Sequence, residues 1–130
     1  MLDAHAAVVR RFYESFAGRD FDTVRSCFAP EPLWHLPGKS AIAGDHVGWD
    51  AIFTDFLAKV GPLSGGTFKA ELLDIAVGER YVVAIQHATA SHNDKTLDIT
   101  GCQLMTVKGG QILEVRGHYS DQDALDNFWG

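Results

Sequence analysis

Histidine is the side chain whose ordinary pKa suits it to take up and give back a proton near neutral pH, as a general base or acid. Six histidines occur in this chain, and His35, in Leu33-Trp34-His35-Leu36, is the candidate base. Its plainer role is that of a strand-end histidine hydrogen-bonded to the backbone. Gln103 can donate its amide N–H to a ligand oxygen, or bond across strands on a half-buried sheet face. Trp34 and Tyr13 serve as ligand contacts if they line a pocket, and as core and rim aromatics if they do not. Asp121 stands at a helix start, where accepting backbone N–H bonds stabilises the helix and lowers a carboxylate's pKa.

Other chemistries lose their support. His87 and His92 are five apart in a strand and so point to opposite faces, and no H-x-H, H-x-x-x-H or H-E-x-x-H occurs, so no metal is expected. Cys27 and Cys102 lack companions at metal-finger spacing and read as small buried hydrophobes in a reduced, cytoplasmic protein. G-x-S-x-G, G-x-G-x-x-G and the P-loop pattern are absent, which removes the main support for serine hydrolysis, dinucleotide and nucleoside triphosphate roles. A net charge of −6, from 17 acidic and 11 basic residues, repels a phosphate backbone and argues against nucleic acid. Met1-Leu2-Asp3-Ala4-His5 has no basic and then apolar run, and no stretch approaches a membrane span, so neither export nor membrane insertion is expected.

The elements that must position these residues follow from period. With 130 residues, 46% of them hydrophobic, one compact domain spanning 1–130 is expected. Val9, Phe12 and Phe16, widened by Val8 and Tyr13, predict an amphipathic helix over Ala4–Ala17 ended by Gly18. Asp20 caps a short second helix carrying Phe21, Val24 and Phe28, which Pro30 stops. Leu33–Leu36 reads as a short strand or extended segment feeding a loop with Gly38, Gly44 and Gly48. Ile52, Phe53, Phe56, Leu57 and Val60 mark a third helix, with Gly61-Pro62 as its stop.

Thr67–Val77, Tyr81–His92, Leu97–Val107 and Gln111–Tyr119 then read as four long antiparallel strands. In the third of them Leu97, Ile99, Gly101, Gln103, Met105 and Val107 share one side, and Gly101 is a candidate bulge or bend. Both faces of such a sheet are partly apolar, and three helices cover only one, so the other face is expected to meet a second subunit as a homodimer. Ser120-Asp121 opens a short closing helix carrying Leu125, Phe128 and Trp129.

This order of elements resembles the nuclear transport factor 2-like superfamily, in particular its ketosteroid-isomerase-like and SnoaL-like members. The carriers are Phe12–Asp20, Trp34-His35-Leu36-Pro37-Gly38 with Ala43-Gly44, Gly109–Arg116 and the closing Asp121–Trp129. The resemblance implies an α+β, cystatin-like cone: a curved antiparallel β-sheet packed on three N-terminal helices around an internal pocket. It places the isomerases' oxyanion-binding tyrosine on Phe12, with Tyr13 one place off, their base on His35, and their protonated aspartate on Gln103, or on Cys102 if the loop is gapped differently. SnoaL-like cyclases are similar in using an acid/base group at the pocket mouth, for which Asp121 and His118 are nearest. Two readings stay open. One is a cofactor-free isomerase, cyclase or dehydratase acting on a small hydrophobic carbonyl compound, with His35 and Asp121 catalytic and Tyr13, Trp34, Gln103 and His118 binding. The other is a non-catalytic ligand-binding or dimerisation module. His35 is expected to point into the cone.

Overall fold

The computed structural model describes residues 2–130. Met1 lies outside them, and with it the start of the amino-terminal segment read above for export. Helix α1, Leu2–Ala17, buries Val8, Val9, Phe12 and Tyr13 and leaves Arg10, Arg11 and Glu14 in solvent, which is the stripe its period predicts. It turns into α2, Phe21–Ser26, through Arg19 in the left-handed conformation (φ 56), and Asp20 caps α2 by accepting from Thr23 N at 3.2 Å.

Strand β1, Phe28–Leu36, starts earlier than expected. Its pairing with β6 shifts register between Phe28 and Leu33, and this irregular stretch holds Pro30 and Pro32, which have no N–H to give a ladder. Strand β2, Gly44–Val47, lies where a loop was expected. Its polar residues carry no strand pattern; it forms by pairing with β1, and the buried His46 bonds Ile42 O through Nε2 at 2.7 Å.

The third helix is continuous over 49–64 but composite: α3, Trp49–Ile52, a π-helical turn, Phe53–Leu57, and α4, Ala58–Ser64. It runs through Gly61-Pro62 because proline removes one hydrogen bond near the end, and the helix stops instead at Gly65 in the left-handed conformation (φ 62).

Strands β3 (Lys69–Val77), β4 (Val82–His92), β5 (Lys95–Lys108) and β6 (Gln111–Tyr119) follow, and α5, Gln122–Trp129, closes the chain. The sheet order is β2-β1-β6-β5-β4-β3, antiparallel throughout except for β1 beside β6. The expected inward side of β5 is buried from Leu97 to Val107. Gly101 is not a bulge: β4–β5 pairing runs without a break from Val82↔Met105 to His92↔Lys95. The bends come instead from register shifts between Leu72 and Asp74 and between Thr106 and Val107. The sheet thus curls around the helices and encloses an aromatic core.

Candidate functional site

Every layer of the fold sends side chains into one internal cavity of about 50 Å³. Helix α1 supplies Phe12, Tyr13 and Phe16, three residues that its period puts on one side. The π-helical turn supplies Phe56 and Leu57: its wider turn presents two successive residues to the interior, 7% and 3% exposed. From the sheet come Trp34 and Leu36 of β1, Gln86 and Ala88 of β4, Gln103 of β5 and Tyr119 of β6. Leu125 and Trp129 of α5 form the lid.

The polar groups in this lining form two pairs. Tyr13 donates its hydroxyl proton to Gln86 Oε1 at 2.5 Å, and Gln103 Nε2 donates to the Tyr119 hydroxyl oxygen at 3.0 Å. Tyr119 takes its place because Gly101 and Gly117 have no side chain: a Cβ on either would come within 2.8 Å of its ring. Burial raises the pKa of both phenols. That of Tyr119 is pushed up to about 12 against the opposing hydrogen bond from Gln103. Tyr13 is driven higher still, first by burial and then by the charges Tyr119 and Cys102 would carry if ionised. Among the described residues the lining contains no Asp, Glu, His, Lys, Arg or Cys, so the interior they form is neutral at physiological pH.

Five of the lining residues, Phe16, Leu57, Val60, Phe68 and Ala70, are also walls of a wider groove of about 570 Å³. The rings of Phe16 and Phe68 meet edge to face at 6.3 Å between the two spaces.

The expected site residues fall on two sides of the sheet. Tyr13, Trp34 and Gln103 come together in the cavity. His35 does not, contrary to expectation: alternation along β1 puts the buried Trp34 and Leu36 inward, so the residue between them faces outward. Its Nδ1 pairs with the Asp45 carboxylate, cross-strand on β2, and its side chain is 36% exposed. It borders an outer depression of about 350 Å³ with Arg116, His118 and Gln122. Asp121 borders neither space; it caps α5 by accepting from Ala124 N at 3.0 Å. Gln86 and Tyr119 join the cavity without being among the expected site residues. Gln86 had a signal, a polar residue in register with Val82, Ala84, Ala88 and Ala90 on an apolar strand face. Tyr119 was visible only as the partner two glycines make room for.

Among the described residues, no three His, Cys, Asp or Glu side chains gather as a metal site, and no helix is long and apolar enough to cross a membrane.

A curled six-stranded sheet wrapped on helices is the cystatin-like, nuclear transport factor 2-like α+β fold, which solved proteins of that description share. Within it the chain belongs to the SnoaL-like domain family, whose model matches residues 9–115, a family built on a small-molecule-binding fold. The uncharacterized protein Rv0034 of Mycobacterium tuberculosis H37Rv is 34% identical over 128 residues, covering 98% of this chain and 97% of its own. Among solved structures, Bal32a from a soil-derived mobile gene cassette superposes with a TM-score of 0.94 at 38% identity, over 99% of this chain and 98% of that one. A cystatin-like protein of unknown function from Xanthomonas campestris reaches 0.88 at 28% identity, over 96% and 97%.

Proposed function

We propose that this protein binds a small, largely apolar molecule inside its cone. The observation that carries the reading is a cavity whose wall is aromatic and aliphatic apart from a few neutral polar groups, the composition of small-molecule sites generally. In this reading no cofactor is needed, and the protein works in the cytoplasm as a homodimer joined through the outer sheet face. Trp34 and Trp129 line the cavity, so tryptophan emission reports its occupancy. Titration with propylbenzene is expected to give a saturable change. Ala70→Phe, which puts a ring at the junction of cavity and groove, is expected to abolish that change in a protein that remains folded by circular dichroism. A wild-type protein whose emission shows no saturable response overturns the reading.

The second reading is acid/base chemistry on a hydrophobic carbonyl compound, as an isomerase, cyclase or dehydratase. Its base has to lie outside the cavity, because nothing in the lining titrates near neutrality. What favours it is the His35–Asp45 pair: the carboxylate orients the ring through Nδ1 and leaves Nε2 with no protein partner among the described residues, beside Arg116 and His118. Asp121 is the further acid in this scheme. Under the first reading His35→Gln leaves the propylbenzene titration unchanged; under the second it abolishes turnover.

A further inference from the structure

Two hydrogen-bonding atoms on residues of the cavity wall have no partner: Nε1–H of Trp34, which can only donate, and Oε1 of Gln103, which can only accept. The residues are 4% and 3% exposed, so bulk water does not reach them. Leaving a buried donor or acceptor unmet is costly, and native proteins do it rarely. A third such atom, Ser40 Oγ, belongs to a loop residue that lines no part of the cavity.

Trp34 and Gln103 sit on β1 and β5, with β6 between them; Trp34 is opposite Val115, and Gln103 is opposite Gly117. The Tyr119 hydroxyl lies over Gly117, within 3.0 Å of where a Cβ would stand, and so between the two strands that carry the unmet atoms. It accepts from Gln103 Nε2, and among the described residues no hydrogen bond uses its own proton. The wall residues at this end therefore carry donors, on Trp34 and Tyr119, and an acceptor, on Gln103. This end has no charged group to balance an ion, and an unpaired ion buried there is strongly disfavoured.

We propose that the ligand carries a single neutral hydroxyl on a slender apolar body, as an alcohol or a phenol does, its oxygen accepting from Trp34 Nε1–H and its proton donated to Gln103 Oε1. The inference rests on the ligand-binding reading above. One hydroxyl meets both unmatched atoms because it is donor and acceptor at once. The body must extend beyond the cavity: with about 10–15 Å³ of such space needed per water, about 50 Å³ holds the hydroxyl and a few further heavy atoms but not a whole ligand. The rest of the molecule runs past Phe16 and Phe68 into the groove of about 570 Å³, on the β3 side and away from the polar end.

Calorimetric titration with 4-propylphenol, propylbenzene and 4-propylbenzoate tests this on the wild type, Gln103→Leu and Trp34→Phe. The wild type is expected to bind 4-propylphenol about tenfold more tightly than propylbenzene, the scale of one or two net hydrogen bonds, and to bind 4-propylbenzoate no better than propylbenzene. Each variant is expected to bring the phenol to within about threefold of propylbenzene on the same protein, so that the readout is the ratio of the two ligands whatever the change does to apolar binding. Should a variant not fold, the wild-type ratios decide. Equal affinity for the phenol and propylbenzene, or preference for the benzoate, overturns the hydroxyl and leaves the binding reading standing. Failure of all three probes to bind overturns both.

Discussion

Tyr119 lies flat on the inner sheet face between two glycines, and each glycine meets it differently. At Gly117 an added Cβ would sit 2.8 Å from ring carbon Cε2 and 3.0 Å from the hydroxyl, and its three nearest atoms all belong to the tyrosine. At Gly101 the Cβ would sit 2.8 Å from Cδ1 and also 3.0 Å from the His118 carbonyl oxygen, which is backbone and cannot swing away. Neither glycine needs its conformational freedom; what matters is the missing side chain. Gly117→Ala and Gly101→Ala are each expected to cost about 1–3 kcal/mol in denaturant unfolding, as overpacking does. In a Tyr119→Ala background the Gly117→Ala cost is expected to vanish, and the Gly101→Ala cost to persist in part. Equal relief at both positions would show that the His118 carbonyl is no obstacle.

Among the elements, α5 is the one whose beginning and role follow from its residues. Asp121 accepts from Ala124 N as its position before an acidic first turn predicts, and the helix it starts brings Leu125 and Trp129 onto the cavity. Asp121→Ala is expected to lower stability by about 1 kcal/mol, and Asp121→Asn to restore most of it, since asparagine caps as well. A residue needed as an acid or base would not be rescued in function by asparagine, so pairing the denaturation midpoint with a turnover assay separates the two roles. The composite third helix was less legible. Its apolar spacing is equally compatible with a regular α-helix, and the extra residue in the Phe53–Leu57 turn reflects packing of Phe56 and Leu57 against the cavity and of Phe53 against Phe21 and Trp49. Strand β2 was illegible for a related reason: Gly44-Asp45-His46 is a strand only because β1 offers it an edge.

At the scale of the whole molecule, the outer face of the sheet is where apolar side chains stay partly uncovered. Cross-strand pairs there include Val83↔Leu104 and Ile85↔Cys102, all four residues half-buried in the single chain, flanked by His35, Arg116 and His118. A face with that much apolar surface is suited to a symmetric partner. Light scattering at micromolar concentration is expected to report twice the chain mass of 14.2 kDa. Leu104→Glu, which would set like charges against each other across a two-fold axis, is expected to return the protein to a monomer. A wild-type mass of one chain disproves the dimer.

The periods are legible in the residues alone: a 3.6-residue stripe in α1, alternation in β3 to β6, the capping of α2 and α5, and with them the α+β cone. These are local signals, carried by residues two to four positions apart, and they survive whatever the rest of the chain does. Only the tertiary structure decided which of two alternating sides faced inward. In Leu33-Trp34-His35-Leu36 either side contains an apolar residue, so alternation alone does not choose between Trp34 and His35. The choice was made by pairing β1 with β6 and β2, which sent Trp34 to the core and His35 to Asp45. The cavity's polar pairs are likewise non-local: Tyr13 reaches Gln86 across 73 positions and Gln103 reaches Tyr119 across 16. Such contacts depend on strand register and sheet curvature, which arise when distant segments pack and have no counterpart in the pattern of neighbouring residues.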